Sequence, residues 1–239
     1  MADSDTPTKI LDAGEELFAD HGYEGTSVRQ IVDRAGVRLA LAHYHFGSKE
    51  NIFLKVIERR AKIVNSSRCY LLNGYLAESA GAPVSLGKIL RAYVIPFLYW
   101  STHADPGWRS YAKLAAHTIF IERWGRLVGG LFNPTAEIFL HEIRRTLPGV
   151  EERRIQWAFD LMVGSMCNTF GENNRIQTLS NGLCSSQDIN EACSHMLPFI
   201  ISGFESVINQ GAFDMSGDLK TLSDRKDPSQ EHADQAEKN

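Results

Sequence analysis

The chain has 239 residues, of which 43% are hydrophobic and 10% aromatic, and its formal net charge is −4 at pH 7. This composition excludes a disordered chain, and the sequence has neither an apolar run of membrane-spanning length nor a basic-then-apolar leader. We therefore expect a soluble, cytoplasmic protein that contacts no membrane. Its cysteines show no C-x-x-C spacing, which favours reduced thiols that serve in packing: Cys69, Cys167, Cys184 and Cys193.

Charge is unevenly distributed along the N-terminal part of the chain. Residues 1–24 contain seven acidic residues and a single basic one, Lys9, whereas residues 25–68 contain nine basic and three acidic residues. A local positive field is what a phosphate backbone attracts, whatever the charge of the whole chain. A solvated helix face explains the same charges equally well.

The elements predicted in chain order are all helices. Ser27 and Gln30 have the spacing of a capping box, Gly36 suits a tight turn, and Asn133-Pro134 suits a helix start. Polar sequence at 178–188 predicts a loop, and the residues after Phe213 read as a polar, flexible tail. The predicted helices cover residues 6–22, 27–35, 38–46, a longer stretch from about 48, 85–100, 133–146, 151–175 and 189–210. The fold class is therefore all-α.

The pair His43 and His45 invites a metal-site interpretation, which helical geometry excludes. Residues i and i+2 point roughly 200° apart on a helix, whereas chelation from one helix needs a spacing of three or four. The chain also lacks the nucleophile-elbow, P-loop and dinucleotide-binding motifs, and His141-Glu142 is not followed by the second histidine of H-E-x-x-H. We expect no metal, no cofactor and no enzyme activity.

A helix-turn-helix unit accounts for the segment around Gly36 better. On the third helix, Ala42 and Phe46 are four residues apart and would face inward with Val37, which turns the opposite side outward. Such a helix fits the major groove, where Arg38 can pair with guanine or phosphate and apolar side chains can meet thymine methyl groups. An amphipathic bundle with incidental tyrosine and histidine remains the alternative.

A resemblance supports the DNA-binding interpretation. The stretch "KILDAGEELFADHGYEGTSVRQIVDRAGVRLALAHYHFGSKENIF" resembles the N-terminal DNA-binding domain of TetR/AcrR-family transcriptional regulators over about 45 residues. Its "YHFGSK" version is similar to a subgroup that includes PsrA-like regulators, some of which respond to fatty-acyl ligands. Ala42-His43 replaces the Leu-Tyr pair of many members, so the operator sequence does not transfer. The resemblance, with the helix geometry, implies a DNA-binding set of Ser27, Arg29, Arg38, Leu39, Ala40, Leu41, His43, Tyr44, His45 and Lys49.

The resemblance also implies the domain organisation. Residues 1–50 would form the helix-turn-helix domain, with the helix from about 48 linking it to a larger helical effector-binding and dimerisation domain at 51–213, followed by a flexible tail at 214–239. Helices 151–175 and 188–210 would pair with a second subunit to form a homodimer. The apolar stripe on these two helices suits that interface or an ordinary core: Phe159, Met162, Val163, Met166, Phe199, Ile200, Phe204 and Val207.

The larger domain is rich in side chains that suit an apolar effector cavity. The candidate lining residues are Tyr93, Phe97, Trp100, His103, Trp108, Tyr111, His117, Trp124, Met162, Met166, Asn168 and Phe170. An apolar, aromatic or acyl effector fits this set. The predicted function is a sequence-specific transcriptional repressor that a small molecule releases from a palindromic operator. The alternatives are an activator of the same family and an enzyme or sequestering protein on the same scaffold.

Overall fold

The computed structural model describes residues 5–210 and 214–223. Every regular element in these ranges is a helix, so the all-α prediction is confirmed. In chain order the helices are α1 (Thr6–His21), α2 (Val28–Ala35), α3 (Leu39–Phe46), α4 (Lys49–Glu78), α5 (Leu86–His103), α6 (Gly107–Thr118), α7 (Glu122–Thr146), α8 (Glu152–Phe170), α9 (Arg175–Leu179), α10 (Ile189–Gln210) and α11 (Ser216–Ser223).

Local sequence signals fix the first three helices. The Oγ of Ser27 accepts a hydrogen bond from the Gln30 backbone N–H, and the Gln30 side chain accepts one from the Ser27 N–H, which completes the capping box. Gly36 ends α2 with φ 66° and ψ 32°, a left-handed conformation that glycine adopts without steric cost. The turn between α2 and α3 therefore has the geometry that the sequence predicts.

The N-terminal helices pack around an aromatic centre. Phe18 of α1 and Phe53 of α4 meet edge to face, with ring centroids 5.1 Å apart. Trp124 of α7 packs on Phe53 at 4.5 Å and on Tyr23 at 4.6 Å, so the larger helical region contacts the first three helices directly. α4 belongs to both regions, because it packs on α1 as well as on α5 and α7.

Several predicted boundaries differ from the structure, including the end of α5, which lies at His103 and not at about Trp100. α7 begins at Glu122 and passes through Pro134, which therefore does not start a helix at that point. α8 ends at Phe170 before Gly171, and residues 175–179 form the separate helix α9. The predicted loop at 178–188 is thus helical in its first two residues. Tertiary packing carries α7 across the proline, which a local signal does not reveal.

The predicted flexible tail at 214–239 contains one helix, α11, in the part that the structure describes. Phe213 and residues 224–239 lie outside the described residues. No helix within 5–210 or 214–223 is both long and apolar enough to cross a membrane.

Candidate nucleic-acid interface and effector cavity

The helix α3 presents one face to solvent. Ala42 is buried beneath it, and Val37 and Phe46 pack partly against the core, as the helical spacing predicts. On the opposite side Leu39, Ala40 and His43 are exposed, as is Tyr44, whose exposed fraction is 79%. This outer face has the width and chemistry to enter a major groove.

Two arginines beside this face have no acidic partner within the described ranges. Arg29 lies in the first turn of α2, and Arg38 is the N-cap residue of α3; both are exposed. The neighbouring Arg34, in contrast, forms an ion pair with Glu16 of α1 at 2.6 Å. Arg29 and Arg38 are therefore the cations of this region that remain available to phosphates or base edges.

Other predicted DNA-binding residues have contacts within the protein. Lys49 donates from Nζ to the backbone carbonyls of Tyr23 (2.9 Å) and Thr26 (3.0 Å), and its ammonium lies over the Tyr23 ring. The Nδ1 of His43 lies 3.2 Å from the Gly47 carbonyl oxygen, and the half-buried His45 packs between neighbouring rings. Ser27 caps α2, and Leu41 is half-buried. Contact of any of these residues with DNA stays a prediction.

The apolar cavity of the larger region contains four of the twelve predicted effector residues. It lies between α4, α5, α6, α7 and α8 and has a volume of about 70 Å³. Tyr93, Phe97, Met166 and Phe170 line it. Eight further lining residues were not predicted from the sequence: Arg68, Ala115, Ala116, Ile119, Val128, Phe132, Val163 and Cys167.

The structure separates the remaining eight predicted effector residues from this cavity. Tyr111 and Met162 are core residues. Trp100 stacks on Trp108 beside α1 and α4, and Trp124 packs on Tyr23 and Phe53. The others lie elsewhere: His103 stacks on exposed Tyr99, His117 lies against the Gly171 carbonyl, and Asn168 faces outward between α8 and α10. Aromatic composition alone does not distinguish a cavity wall from a core.

Arg68 is the missed residue with a recognisable sequence signal. It occupies the buried stripe of α4 that also contains Ile57, Ala61, Val64 and Leu72. A charged residue on the apolar stripe of an amphipathic helix is unusual enough to mark a site. Arg68 is also one of the nine basic residues of 25–68, and its charge alone does not reveal its burial.

A second buried arginine joins the two regions. Arg60 donates from Nε to Glu15 of α1 (2.6 Å) and from Nη2 to Asp105 (3.1 Å), and it lies over the Trp108 ring. Burial alone would lower the pKa of Arg60, but the hydrogen bonds to Glu15 and Asp105 raise it overall. This charged cluster connects α1, α4 and the start of α6; Arg60 and Glu15 are buried, whereas Asp105 is exposed.

The apolar stripe predicted for a dimer interface faces mostly inward. Phe159, Met162, Met166, Ile200 and Phe204 are buried in the contact of α8 with α10 and the neighbouring helices, and only Phe199 is exposed. The outer face of the pair instead presents Trp157 and Leu161 together with Phe199. The original stripe is therefore core, because the two helices pack on α5 and α6 as well as on each other.

Comparison with known families agrees with this architecture. Residues 10–56 match the model described as "Bacterial regulatory proteins, tetR family", and residues 91–203 match "Tetracyclin repressor-like, C-terminal domain". The chain belongs to the TetR family. The family resemblance noted for α1 to α4 is thus confirmed, and it extends to the larger helical region.

Three relatives match this chain over different lengths and at different sequence identities. The repressor AcnR of Corynebacterium glutamicum is 36% identical over 75 residues, covering 28% of this chain and 40% of AcnR. The activator FasR of Mycolicibacterium smegmatis is 30% identical over 101 residues, covering 42% of each chain. The structure of FadR from Bacillus subtilis with stearoyl-CoA has a TM-score of 0.56 at 16% identity, covering 82% of this chain and 98% of FadR.

The three matches cover different shares of the relatives' chains. The matches to AcnR and FasR span less than half of those proteins. The FadR match spans nearly the whole fold, and at its low identity it bears on the fold alone. Among the described residues, no cluster of three or more His, Cys, Asp or Glu side chains is arranged to hold a metal ion.

Proposed function

We propose that this TetR-family chain is a DNA-binding transcriptional regulator whose α3 reads operator sequence. The observation that carries the proposal is the outer face of α3, flanked by Arg29 and Arg38 without acidic partners in the described ranges. In this proposal residues 1–50 form the DNA-binding domain and residues 51–213 the effector and dimerisation domain.

The first experiment measures binding to the DNA upstream of the chain's own gene by fluorescence anisotropy at several salt concentrations. A specific complex should weaken steeply with salt and exceed binding to a scrambled duplex by at least about a thousandfold. Arg38→Ala should relax preference at one base position, at a cost of about 1–3 kcal/mol. Arg34→Ala is the matched control, because Arg34 is paired with Glu16. Equal affinity for both duplexes would contradict sequence-specific regulation.

We further propose a homodimer through the outer face of α8 and α10. Trp157 is 60% exposed, Leu161 56% and Phe199 70%, and such a contiguous apolar face marks an interface. Two-fold symmetry would place two copies of α3 on a palindromic operator. Leu161→Glu should give a monomer in sedimentation and weaken operator binding. Exposed Leu179→Glu is the control, and a dimer that survives Leu161→Glu would place the interface elsewhere.

The proposed regulatory outcome is repression that an apolar, aromatic or acyl effector relieves by favouring a state with lower operator affinity. The cavity of about 70 Å³ is below the roughly 300–1,000 Å³ of ordinary ligand sites, so the effector must enlarge it. AcnR is named a repressor and FasR an activator. Transcription in vitro from the bound promoter distinguishes the two, since repression predicts fewer transcripts with the protein present. The PsrA-like subgroup stays a prediction.

A further inference from the structure

Arg68 is a cation enclosed among apolar groups. Its exposed fraction is 3%. Nε donates to the Tyr93 carbonyl (2.8 Å) and Nη1 to the Asn65 side-chain oxygen (3.2 Å), while Nη2 makes no hydrogen bond to any described residue. Within the described ranges no carboxylate lies within ion-pair distance of this guanidinium.

The described groups around Arg68 are aromatic rings and neutral side chains, which offset its charge only in part. The guanidinium lies over the Tyr93 ring at 3.8 Å and lies 5.9 Å from the Phe97 and Phe132 centroids, so cation–π attraction offsets part of the desolvation. Burial raises the pKa of the Cys167 thiol to about 11, which keeps that wall residue neutral. Burial also raises the pKa of Tyr111, whose hydroxyl is buried without a hydrogen-bond partner. A buried charge without a counter-ion is costly, which makes the site receptive to an anion.

Arg68 lines the cavity, so an anion that compensates its charge would bind there. Arg68 is the charged residue of a wall otherwise made of aromatic, aliphatic and sulfur-containing side chains. Nη2 and the second N–H of Nη1 make no hydrogen bond to described residues, and a planar guanidinium can donate from these two nitrogens to the two oxygens of a carboxylate. An alcohol or hydrocarbon of the same size leaves the charge uncompensated.

We propose that Arg68 anchors the carboxylate of the effector, so that the ligand class is a free carboxylic acid with an apolar body. The inference rests on the proposed function, because it assigns the ligand of an effector-regulated protein. Among the apolar, aromatic or acyl effectors named above, this inference selects those whose carboxylate enters the cavity.

The α7 side of the cavity contains a weakened helix segment, which can move to admit an acid larger than the cavity. Val128 and Phe132 line the cavity on either side of Gly129-Gly130. Glycine lowers helix stability, and Pro134 removes a backbone donor from the same helix. The segment can therefore shift outward at low cost, and half-exposed Ile119 marks the side open to solvent.

The test compares matched acids and alcohols on the full chain. Calorimetric titration is run with benzoate against benzyl alcohol and with octanoate against octan-1-ol. The wild type should bind each acid at least about tenfold more tightly than its alcohol, since hydrogen bonds to a buried charge are strong. Arg68→Met should reduce that preference to less than about twofold. Arg68→Lys, which keeps the charge without the planar fork, should fall between.

The matched control is Arg126→Met on α7, whose side chain is 81% exposed and which should keep the wild-type preference. If Arg68→Met does not fold by circular dichroism, Arg68→Gln replaces it, because an amide retains a donor for the Tyr93 carbonyl. The inference is wrong if the wild type does not favour the acids, or if the uncharged variant keeps the preference. Operator binding by the wild type is measured separately, so its absence would count against the proposed function and not against Arg68.

Discussion

Arg60 and Arg68 lie eight residues apart on α4, both buried and both stacked on aromatic rings, yet their partners differ. Arg60 binds two carboxylates, from Glu15 and Asp105, whereas Arg68 has none within the described ranges. A buried cation with its counter-ions holds elements together, and one without them favours any anion that reaches it. The contrast therefore separates a residue that joins two regions from one suited to receive a ligand.

Tyr111 of α6 connects the surroundings of the two arginines. Its ring lies 5.8 Å from that of Trp108, which covers Arg60, and 6.1 Å from that of Phe97, which is near Arg68. A ligand that displaces Phe97 would thus act on the Tyr111 ring, which also packs on Trp108, the ring that lies over Arg60. This packing gives a physical route from the cavity to α1, because close-packed side chains transmit displacement.

The largest effect is expected when the same substitution is made at both arginines. Arg60→Met leaves buried Glu15 with Arg59 as its remaining partner, and the free energy of unfolding should fall by about 3 kcal/mol. Arg68→Met removes an uncompensated buried charge and should stay within about 1 kcal/mol of wild type or exceed it. Urea denaturation measures both. Equal losses of unfolding free energy in the two variants would contradict the proposed difference between Arg60 and Arg68.

A smaller effect is expected at Gly107, which begins α6. A Cβ at this position would collide with Nη2 of Arg60 and lie 2.6 Å from Glu15 Oε1, so Gly107→Ala must push the charged cluster apart. We expect a loss of about 1–3 kcal/mol in unfolding free energy. Gly130→Ala on α7 is the control: open space surrounds that position, and alanine should stabilise the helix by about 0.5–1 kcal/mol.

The smallest effect concerns the rate of thiol alkylation beside Arg68. With a pKa of about 11 for Cys167 and about 12 for Cys193, these thiols should react slowly with iodoacetamide at pH 8. Each unit of pH below the pKa changes the thiolate fraction about tenfold, so the rate at Cys167 should rise about tenfold from pH 8 to pH 9. Peptide mass spectrometry follows each site. Octanoate should slow Cys167 alone, and equal protection of Cys193 would indicate general stabilisation instead.

The N-terminal helices were predictable because their signals are local. The Ser27–Gln30 capping box, the left-handed Gly36 and the inward Ala42 each follow from spacing within a few residues. The same local logic failed at Pro134, which lies inside α7 because packing on α4 outweighs the proline penalty. Packing between helices that are distant in sequence is not encoded in the few residues around a proline.

The candidate cavity was predictable only in part, for a related reason. Phe97 and Met166 line it, whereas Trp108 and Trp124 pack between helices, and nothing in their composition separates the two roles. Arg68 was accessible from the helical period alone, as a charge on the buried stripe of α4. Its lack of a carboxylate partner, which carries the inference, is a property of the folded chain.

The length of α4 turns small rearrangements near Arg68 into larger ones at its other end. The helix begins at Lys49, so about 28 Å of rigid rod separates its start from Arg68 at 1.5 Å per residue. A tilt of about 5° about that point would carry Lys49, which holds the carbonyls of Tyr23 and Thr26, by roughly 2.5 Å. In a symmetric pair the two displacements add to about 5 Å, against a half-site separation of about 34 Å. An operator with a fixed half-site spacing would then no longer match both copies of α3.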